Sequence, residues 1–357
     1  MKYQLNTIKV ALENYKHLLR GQIKLGKTTL YRDIILEAYG SPEYGLLISP
    51  SNETGFRAID NLYGIEAPTW TSFVDIIDDL VENKSENKFK IVCIDTTDAL
   101  VEVATEKVLQ IHFQRKGERA VSLNQALGGY SAGHAMVGEL INNQIRRLEG
   151  AQYGIFLIGH TKLKQITDPE TGNTYDQVIG NLESRFDSIF TNKSDIVCTL
   201  ASSKEIENGK LIGSNRYLYF RANSFIDAGS RLVGVPEKTP YGAKEYIGAF
   251  EQGVKASFSK RVSDKDIEKI RKAEQVEREQ KAAEYIEKVK SSAVENSKEL
   301  KTASDYIELI STTIAAIKDK ETKAQKQAEL KELGIPTAYQ KLEDVEVLKT
   351  VLKVVSS

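Results

Sequence analysis

Short apolar runs alternate with amphipathic helical patterns from residue 15 to about residue 250. This alternation predicts an α/β domain whose sheet is largely parallel. Residues 91–94 and 155–158 are continuous apolar runs, which are typical of strands that helices cover on both faces. The predicted strands are 15–19, 45–49, 90–95, 153–159, 195–200, and a hairpin-like pair around 211–212 and 216–221.

The composition changes after about residue 252. Glycine nearly disappears, and residues 264–333 are rich in Lys, Glu, Ala and Gln, with opposite charges at helical spacing. For this stretch we favour a solvated helix or extended coil over a coiled coil dedicated to a partner. Residues 330–337 predict a helix stop, and residues 342–355 have apolar positions at helical spacing. We therefore predict a core domain over 1–252, a charged helical or coiled extension over 253–333, and a small helical module over 334–357.

Residues 21–28 fit the pattern G-x-x-x-x-G-K-[ST] at every fixed position. In a P-loop, the two glycines allow a tight turn, so that successive N–H groups point at phosphate oxygens. Lys27 would reach the β- and γ-phosphates, and the Thr28 hydroxyl would bind Mg²⁺. Residues 29–39 predict a helix whose dipole favours an anion at its start. Instead of a glycine-rich turn with an exposed lysine, we predict ATP binding by Gly21, Gln22, Ile23, Lys24, Leu25, Gly26, Lys27, Thr28 and Thr29.

A P-loop site also needs a carboxylate to hold the Mg²⁺ shell, at the carboxyl end of a neighbouring buried strand. Residues 89–95 form a hydrophobic run of this kind, and the run ends in Asp95. We predict that Thr28 and Asp95 bind the metal. The alternative is that Asp95 caps the helix that begins near Ala99, although Asp98 is the better candidate for that cap.

Polar side chains also follow two other predicted strands. Glu53 comes after the second strand and would face the γ-phosphate if that strand lies beside the P-loop strand; there it would orient or deprotonate the attacking water. His160 comes at the end of strand 153–159, where α/β sheets bind ligands, and would sense the γ-phosphate. The alternatives are a surface loop for Glu53 and an ordinary loop histidine for His160.

The overall composition narrows the class of protein. The 357 residues are 41% hydrophobic and carry a net charge of −1, so no global basic field indicates nucleic acid. Cys93 and Cys198 each lie in an apolar run, which predicts buried thiols in a reducing compartment. The four histidines have no zinc-binding spacing, and no signal-peptide pattern or apolar run of about 18 residues is present. We expect a soluble protein of the bacterial or phage-infected cytoplasm, without membrane contact.

Five stretches carry a family resemblance, namely 21–29, 91–97, 159–162, 194–197 and 221–231. Together they resemble the RecA-type phage ATPases found beside single-strand annealing proteins. These are the short RecA-like recombinases of the Sak-four group, often called phage nucleotide-binding proteins. The resemblance covers about residues 12–250. Its specific part is the series of a P-loop, Glu-x-Gly after the next strand, Asp-Thr after the third, Gly-His-Thr after the fourth, and an arginine-containing hairpin.

The resemblance implies a RecA-like P-loop core that binds ATP with Mg²⁺ and single-stranded DNA, forms a homo-oligomer, and supports phage-type homologous recombination or single-strand annealing. It also implies a cation that completes the ATP site, in cis or from a neighbouring subunit. Arg221 is the candidate, with Arg231 close to it, and a structural ion pair is the alternative for Arg221. A single-strand-binding protein or the annealing protein is the expected protein partner.

RecA-type folds line the DNA path with two loops, and the resemblance puts these loops at 112–133 and 162–192. The first contains cations for phosphates and aromatic rings for base stacking, which are Arg115, Lys116, Arg119, Phe113 and Tyr130. The second contains Lys162, Lys164 and Arg185, together with the acidic residues Asp168, Glu170 and Asp176. This acidity departs from a basic DNA loop. For both segments, a surface loop without DNA contact is the alternative.

Two other functions remain as alternatives. A P-loop ATPase could load or remodel a protein partner in DNA replication or repair without binding DNA itself, with the helical tail as the contact. A small-molecule kinase is disfavoured, because no arginine-rich lid follows the core.

Overall fold

The computed structural model describes residues 7–51, 53–207, 210–298, 306–307, 310–311, 314, 320–333 and 344–356. The chain divides into two compact units, Met1–Ile286 and Glu287–Ser357. The small module predicted over 334–357 therefore lies partly outside the described residues. Within the described ranges, none of the helices has the length and apolar character needed to cross a membrane.

The described residues form ten strands and nine α-helices. The strands are β1 (Lys16–Gly21), β2 (Gly45–Pro50), β3 (Tyr63–Ala67), β4 (Ile91–Asp95), β5 (Gly154–Thr167), β6 (Thr174–Gly180), β7 (Ile196–Glu207), β8 (Lys210–Tyr219), β9 (Gly229–Ser230) and β10 (Lys238–Pro240). The helices are α1 (Lys27–Tyr39), α2 (Trp70–Glu82), α3 (Thr97–Lys116), α4 (Ala132–Gly150), α5 (Ser184–Thr191), α6 (Ala243–Ala256), α7 (Asp264–Lys298), α8 (Lys320–Glu332) and α9 (Val345–Ser356).

The central strands of the sheet are parallel. The order across the sheet is β10–β8–β7–β1–β5–β4–β2–β3, so that β1 lies between β5 and β7. Beyond β7, the strand β8 pairs antiparallel with β7 and with β10. Separately, β6 pairs antiparallel with the outer half of the central strand β5. Because the central strands are parallel, the carboxyl ends of β1, β2 and β4 meet at one edge, where β5 continues past His160 to Thr167. The predicted α/β class, with a mostly parallel central sheet and a helical C-terminal region, is confirmed.

Helices cover both faces of the sheet. Leu18 of β1 belongs to one buried cluster, together with Phe73 of α2 and Leu100 of α3. Leu19, the next residue of β1, belongs to a second buried cluster with Ile34 of α1. Successive strand residues point to opposite faces, so a continuous apolar run contributes to both clusters. This explains why the continuous runs of the sequence correspond to central strands.

Two sequence predictions about local structure were wrong, and one strand was missed. The hairpin-like pair predicted around 211–212 and 216–221 is a single strand, β8, which pairs with β7. Residues 162–192, predicted as a loop, form the outer half of β5, the strand β6 and the helix α5. Their polar, partly exposed side chains hide the hairpin from a search for apolar runs. The edge strand β3 was missed for a similar reason, because Tyr63, Gly64 and Ile65 are exposed and only Ala67 is buried.

The first part of α7 is attached to the first unit by side chains that bind backbone groups. Glu274 is buried and accepts the N–H groups of Val10 and Ala11, both at 3.0 Å. Arg278 donates to the carbonyl oxygen of Glu13 at 3.1 Å. Residues beyond 252 therefore take part in the packing of the first unit, and the domain boundary at 252 stays a prediction.

The second unit has its own apolar cluster. Ile310, Leu330, Leu348 and Val351 are among its buried side chains. Leu330 lies on α8, and Leu348 and Val351 lie on α9, so these two helices share a small core.

His17, near the start of β1, is a buried histidine with two hydrogen-bond partners. Its Nδ1 lies 2.9 Å from the hydroxyl of Tyr246, and its Nε2 lies 3.1 Å from the carbonyl oxygen of Leu12. A neutral ring satisfies both contacts if Nε2 donates and Nδ1 accepts. Burial lowers the pKa of His17 from 6.5 to about 4.

We expect the free energy of unfolding to fall as the pH drops from 6.5 to about 4. Over that range the unfolded chain binds a proton at His17 that the folded chain does not bind. The pKa difference corresponds to about 3 kcal/mol. Urea unfolding at a series of pH values should therefore show a loss that is smaller by about this amount in His17→Gln. Equal pH dependence in the two proteins would contradict the assignment.

Candidate nucleotide-binding site

The loop between β1 and α1 has the backbone that a phosphate-binding turn requires. Gly26, the residue before α1, has a φ of +96°, in the left-handed region that favours glycine. Gly21 is fixed by close packing, because a Cβ at this position would lie 2.9 Å from the carbonyl oxygen of Leu200. The two motif glycines are therefore both demanded by the geometry, and the N-terminus of α1 opens onto the loop.

Lys27, the first residue of α1, is 6% exposed and turns back over the loop. Its Nζ donates to the carbonyl oxygens of Gly21 and Gln22, both at 2.9 Å. It also lies 3.4 Å from Nδ1 of His160. Burial lowers the pKa of Lys27, and the neighbouring carboxylates act in the opposite direction. The amine is thus held at the point where the loop would receive a phosphate.

Thr28 and Asp95 form the candidate metal pair. The Thr28 hydroxyl donates to Oδ2 of Asp95 at 2.6 Å and so joins the first turn of α1 to the end of β4. Burial raises the pKa of Asp95, whereas the hydrogen bond from Thr28 and the charge of Lys27 lower it. A hydroxyl and a carboxylate supply the oxygen ligands that Mg²⁺ prefers.

The described residues contain no group of three or more His, Cys, Asp or Glu side chains that could hold a metal ion. A Mg²⁺ ion on Thr28 and Asp95 would therefore take its remaining ligands from phosphate and water, as Mg²⁺ commonly does. The residues present fit a metal that arrives with a nucleotide.

The strand order corrects one assumption behind two of the sequence predictions. The strand β5 lies between β1 and β4, so Asp95 does not end the immediate neighbour of the P-loop strand. The strand β2 lies still farther out, so it is not beside β1, as the interpretation of Glu53 had required. The reason is that β5, although later in the chain, is inserted next to β1.

Glu53 nevertheless reaches the site through the loop after β2. The Ser49 hydroxyl donates to the carbonyl oxygen of Glu53 at 2.7 Å and lies 3.3 Å from that of Asp95. This hydroxyl therefore links the loop to the end of β4. The Glu53 carboxylate then lies 3.8 Å from Nε2 of His160. The structure brings Lys27, Thr28, Glu53, Asp95 and His160 together at one edge of the sheet.

The carboxylate of Asp98 positions His160 by binding the backbone N–H of His160. One carboxylate oxygen of Asp98 accepts the N–H of His160 at 3.1 Å, and the other accepts the side-chain amide of Asn181 at 2.8 Å. The prediction that Asp98 caps the helix was wrong. Thr96 is the N-cap of α3, because its hydroxyl accepts the N–H of Ala99 at 3.2 Å.

The described side-chain contacts of Arg221 are with backbone oxygens of β9 and the residues just after it. Its guanidinium donates to the carbonyl oxygens of Ser230, Leu232 and Val233. Arg231 pairs with Asp195 at 2.9 Å. The structure does not bring Arg221 together with the P-loop cluster, and its role as a completing cation stays a prediction.

Two side chains that the sequence reasoning missed contact the P-loop. Arg216 of β8 donates to the carbonyl oxygen of Leu25 at 2.7 Å. The hydroxyl of Tyr241, just before α6, donates to the carbonyl oxygen of Gly26 at 2.8 Å. The partners are 191 and 215 residues apart in the chain, and both acceptors are backbone atoms. No local motif could have signalled such contacts.

Arg20, the residue before the P-loop, was also missed. It is 2% exposed, and its Nη2 donates to Oδ2 of Asp227 at 2.7 Å. Its Nη1 lies 3.5 Å from Asp187 of α5, where burial raises the pKa of Asp187 and the charge of Arg20 lowers it. A buried ion pair thus connects the P-loop strand to α5.

The residues predicted for the first DNA loop lie at the end of α3 and beyond it. Arg115 and Lys116 are in the last turn of α3. Arg119 follows, with its guanidinium 5.8 Å from the ring centroid of Phe113. Tyr130 is fully exposed.

Of the cations predicted for the second DNA loop, Lys162 and Lys164 lie on the outer half of β5 and Arg185 lies on α5. Both lysines are exposed, and Lys162 donates to the carbonyl oxygen of Asn181 at 2.7 Å. A groove of about 490 Å³ joins the two predicted DNA segments, since its lining runs from the start of α4 to α5. The lining residues are Ser131, His134, Ala135, Gly138, Arg185, Phe186 and Ile189.

A comparison with protein families agrees with this geometry. The model of the AAA domain matches residues 13–232, which are more than half of the chain and include the P-loop, Asp95 and His160. No curated protein matches the chain. The chain therefore belongs to the AAA domain family of P-loop ATPases.

Proposed function

We propose that this AAA-domain protein hydrolyses ATP with Mg²⁺ and uses the reaction on single-stranded DNA, in phage-type homologous recombination or single-strand annealing. The observation that carries the proposal is the cluster at the carboxyl edge of the sheet. In this cluster the Thr28 hydroxyl donates a hydrogen bond of 2.6 Å to the Asp95 carboxylate, and His160 lies between Lys27 and Glu53.

Lys27 and the P-loop backbone bind the phosphates in this account. Lys27 exchanges the carbonyl oxygens of Gly21 and Gln22 for β- and γ-phosphate oxygens, because an ammonium binds an anionic oxygen more strongly than a neutral one. Thr28 and Asp95 hold Mg²⁺, which supplies neutralisation of the phosphate charge when it is bound.

Glu53 and His160 provide the hydrolytic part of the site. Glu53 is the carboxylate that orients or deprotonates the attacking water. Nδ1 of His160 lies 3.4 Å from Nζ of Lys27, and its Nε2 lies 3.8 Å from the carboxylate of Glu53. The ring therefore connects a γ-phosphate bound by Lys27 to the catalytic carboxylate. Asp98 keeps His160 in this position through the backbone hydrogen bond.

The DNA part of the proposal rests on the resemblance to RecA-type phage ATPases and on side chains of the two predicted DNA segments. Arg115, Lys116 and Arg119 supply cations for phosphates, and the exposed ring of Tyr130 is available for stacking on a base. Arg185 lines the groove itself. A homo-oligomer, and a single-strand-binding or annealing protein as partner, belong to the same proposal.

A second candidate function is an ATPase that loads or remodels a protein partner. The observation that favours it is the separate apolar cluster of the second unit, around Ile310, Leu348 and Val351, which gives the C-terminal region a folded module of its own. The two candidates differ in whether DNA affects ATP turnover.

We expect Lys27→Ala to abolish measurable ATP turnover, because it removes the cation that binds the β- and γ-phosphates. Phosphate release and Mg-ADP binding check this, with circular dichroism to verify the fold. Lys265→Ala is the matched control, because it removes the same charge at an exposed position of α7 outside the P-loop, and it should keep wild-type turnover. Unaltered turnover in Lys27→Ala would contradict the assignment of the P-loop as the nucleotide-binding site.

We expect Glu53→Gln to bind Mg-ATP normally but to hydrolyse it about 100-fold more slowly or worse, since an amide cannot accept the proton of the attacking water. Single-turnover hydrolysis and nucleotide affinity should be measured on the same preparation. Wild-type turnover in this variant would move the catalytic role to another residue.

We expect single-stranded DNA to stimulate ATP turnover and its affinity to fall steeply with salt. Each phosphate contact on single-stranded DNA contributes about 0.7 to the magnitude of the slope of log affinity against log salt. Replacing Arg115, Lys116 and Arg119 by alanine removes three such contacts and should reduce this magnitude by about 2. Fluorescence anisotropy with an oligonucleotide at several salt concentrations measures this slope.

The control for the DNA experiment replaces Lys260, Lys265 and Lys269, three exposed lysines around the start of α7, by alanine. This variant loses the same charge and should keep the wild-type slope. Absence of DNA binding at low salt with ATP present would contradict the DNA role and favour the partner-remodelling function.

A further inference from the structure

Two side-chain donors from a distant part of the chain bind carbonyl oxygens of the P-loop. Arg216 donates to the carbonyl oxygen of Leu25 at 2.7 Å, and the Tyr241 hydroxyl donates to that of Gly26 at 2.8 Å. These carbonyls belong to the last two peptide units before α1. They are the units that carry the N–H groups of Gly26 and Lys27.

The planar trans peptide makes this arrangement directional. In each unit the C=O and the N–H point in opposite directions. A donor that fixes the carbonyl therefore also fixes the N–H on the opposite side of the peptide plane, and N–H groups are what a P-loop offers to phosphate. The carbonyl of Gly26 also accepts the N–H of Leu30 at 2.9 Å, so the Tyr241 hydroxyl adds a second hydrogen bond to it. Hydrogen bonds in a chain also polarise one another, so a guanidinium on the oxygen of Leu25 strengthens the N–H of Gly26 as a donor.

The two donors are themselves held in place. The Tyr241 N–H donates to the carbonyl oxygen of Arg216 at 2.9 Å, next to the β8–β10 pair Tyr217 and Pro240. The guanidinium of Arg216 lies 3.8 Å from the centroid of the Tyr241 ring, within range of a cation–π contact. Burial raises the pKa of Tyr241, so its hydroxyl stays protonated and can donate.

Gly26 is matched to this pair of side chains. A Cβ at Gly26 would lie 2.8 Å from both Arg216 Nη1 and the Tyr241 hydroxyl. The second glycine of the motif thus permits the left-handed turn and also the close approach of the two donors.

We propose that Arg216 and Tyr241 are positioning residues for nucleotide binding: they hold the P-loop in its phosphate-receiving conformation and strengthen the N–H groups of Gly26 and Lys27 as donors. The inference rests on the proposed nucleotide function of the P-loop. It differs from a purely structural role, in which the pair only fastens β8 and α6 to the loop. A structural role predicts a lower melting temperature with unchanged nucleotide affinity.

The test compares Arg216→Met, Arg216→Lys and Tyr241→Phe with the wild-type chain. We expect Arg216→Met to weaken Mg-ADP binding about tenfold, because it removes a charge-assisted hydrogen bond from the P-loop backbone. Tyr241→Phe keeps the ring and removes one hydroxyl, and should weaken binding about threefold. KM for ATP should rise in parallel while kcat changes by less than about twofold, since the interaction is present in both ground and transition states. Arg216→Lys should recover part of the affinity.

Lys238→Met is the matched control. Its Nζ lies 5.0 Å and 5.9 Å from the ring centroids of Tyr217 and Tyr219 on the same β8–β10 ladder, and these rings, not the P-loop, are its described side-chain contacts. This variant should bind Mg-ADP as the wild type does. In amide NMR spectra with bound Mg-ADP, the Gly26 and Lys27 N–H protons should move upfield in Arg216→Met, which a structural role alone would not produce.

Unchanged Mg-ADP affinity in both Arg216→Met and Tyr241→Phe, with normal wild-type binding, would overturn this inference alone. A wild-type chain that binds no Mg-ADP would overturn the proposed nucleotide function and this inference with it. If Arg216→Met does not fold, Tyr241→Phe decides, because it removes a single oxygen atom and leaves the stacked ring in place.

Discussion

The hydrogen bond between the Thr28 hydroxyl and the Asp95 carboxylate is the contact on which the arrangement of the site depends. It joins the first turn of α1, the helix that follows β1, to the end of β4. In the sheet, β1 and β4 are separated by the strand β5. At the same edge the loop after β2 carries Glu53, and His160 of β5 lies between Lys27 and Glu53. The cluster is thus a consequence of parallel strands that end at one edge and of one short polar contact across that edge.

The charges at this edge bear on the proposed binding of a nucleotide with Mg²⁺. Asp95, Glu53 and Asp98 all lie near enough to Lys27 to raise its pKa, against the burial that lowers it. Three carboxylates against one lysine would repel a triphosphate. In the proposed function, a divalent cation on the Thr28–Asp95 pair would remove this repulsion.

Two arginines tie the P-loop to the rest of the core from opposite ends. Arg20, before the loop, is buried and pairs with Asp227 and with Asp187 of α5. Arg216 holds the carbonyl of Leu25 at the other end of the loop. Removing Asp187 or Asp227 would leave the buried guanidinium of Arg20 with less compensation, which costs more than the loss of a surface ion pair. Arg216 acts differently, because it is held by a hydrogen bond to a backbone oxygen. Together the two arginines connect the loop to α5 and to β8.

The parts of this structure that could be predicted from the sequence are those determined by local chemistry. Gly21 and Gly26 are required by close packing and by a positive φ, and Asp95 and His160 follow apolar runs that form central strands. The insertion of β5 beside β1 could not be predicted, because strand order depends on contacts between distant segments. The exposed strand β3 has no apolar run, and the donors Arg216 and Tyr241 bind backbone oxygens, which leave no pattern in the sequence.

A crystal structure of the chain with Mg²⁺ and a non-hydrolysable ATP analogue tests the proposed nucleotide site most directly. We expect phosphates enclosed by residues 21–28, with Lys27 on the β- and γ-phosphates, the metal on the Thr28 hydroxyl beside Asp95, and His160 facing the γ-phosphate. An analogue bound outside the loop, or a metal that contacts neither Thr28 nor Asp95, would contradict the proposed site.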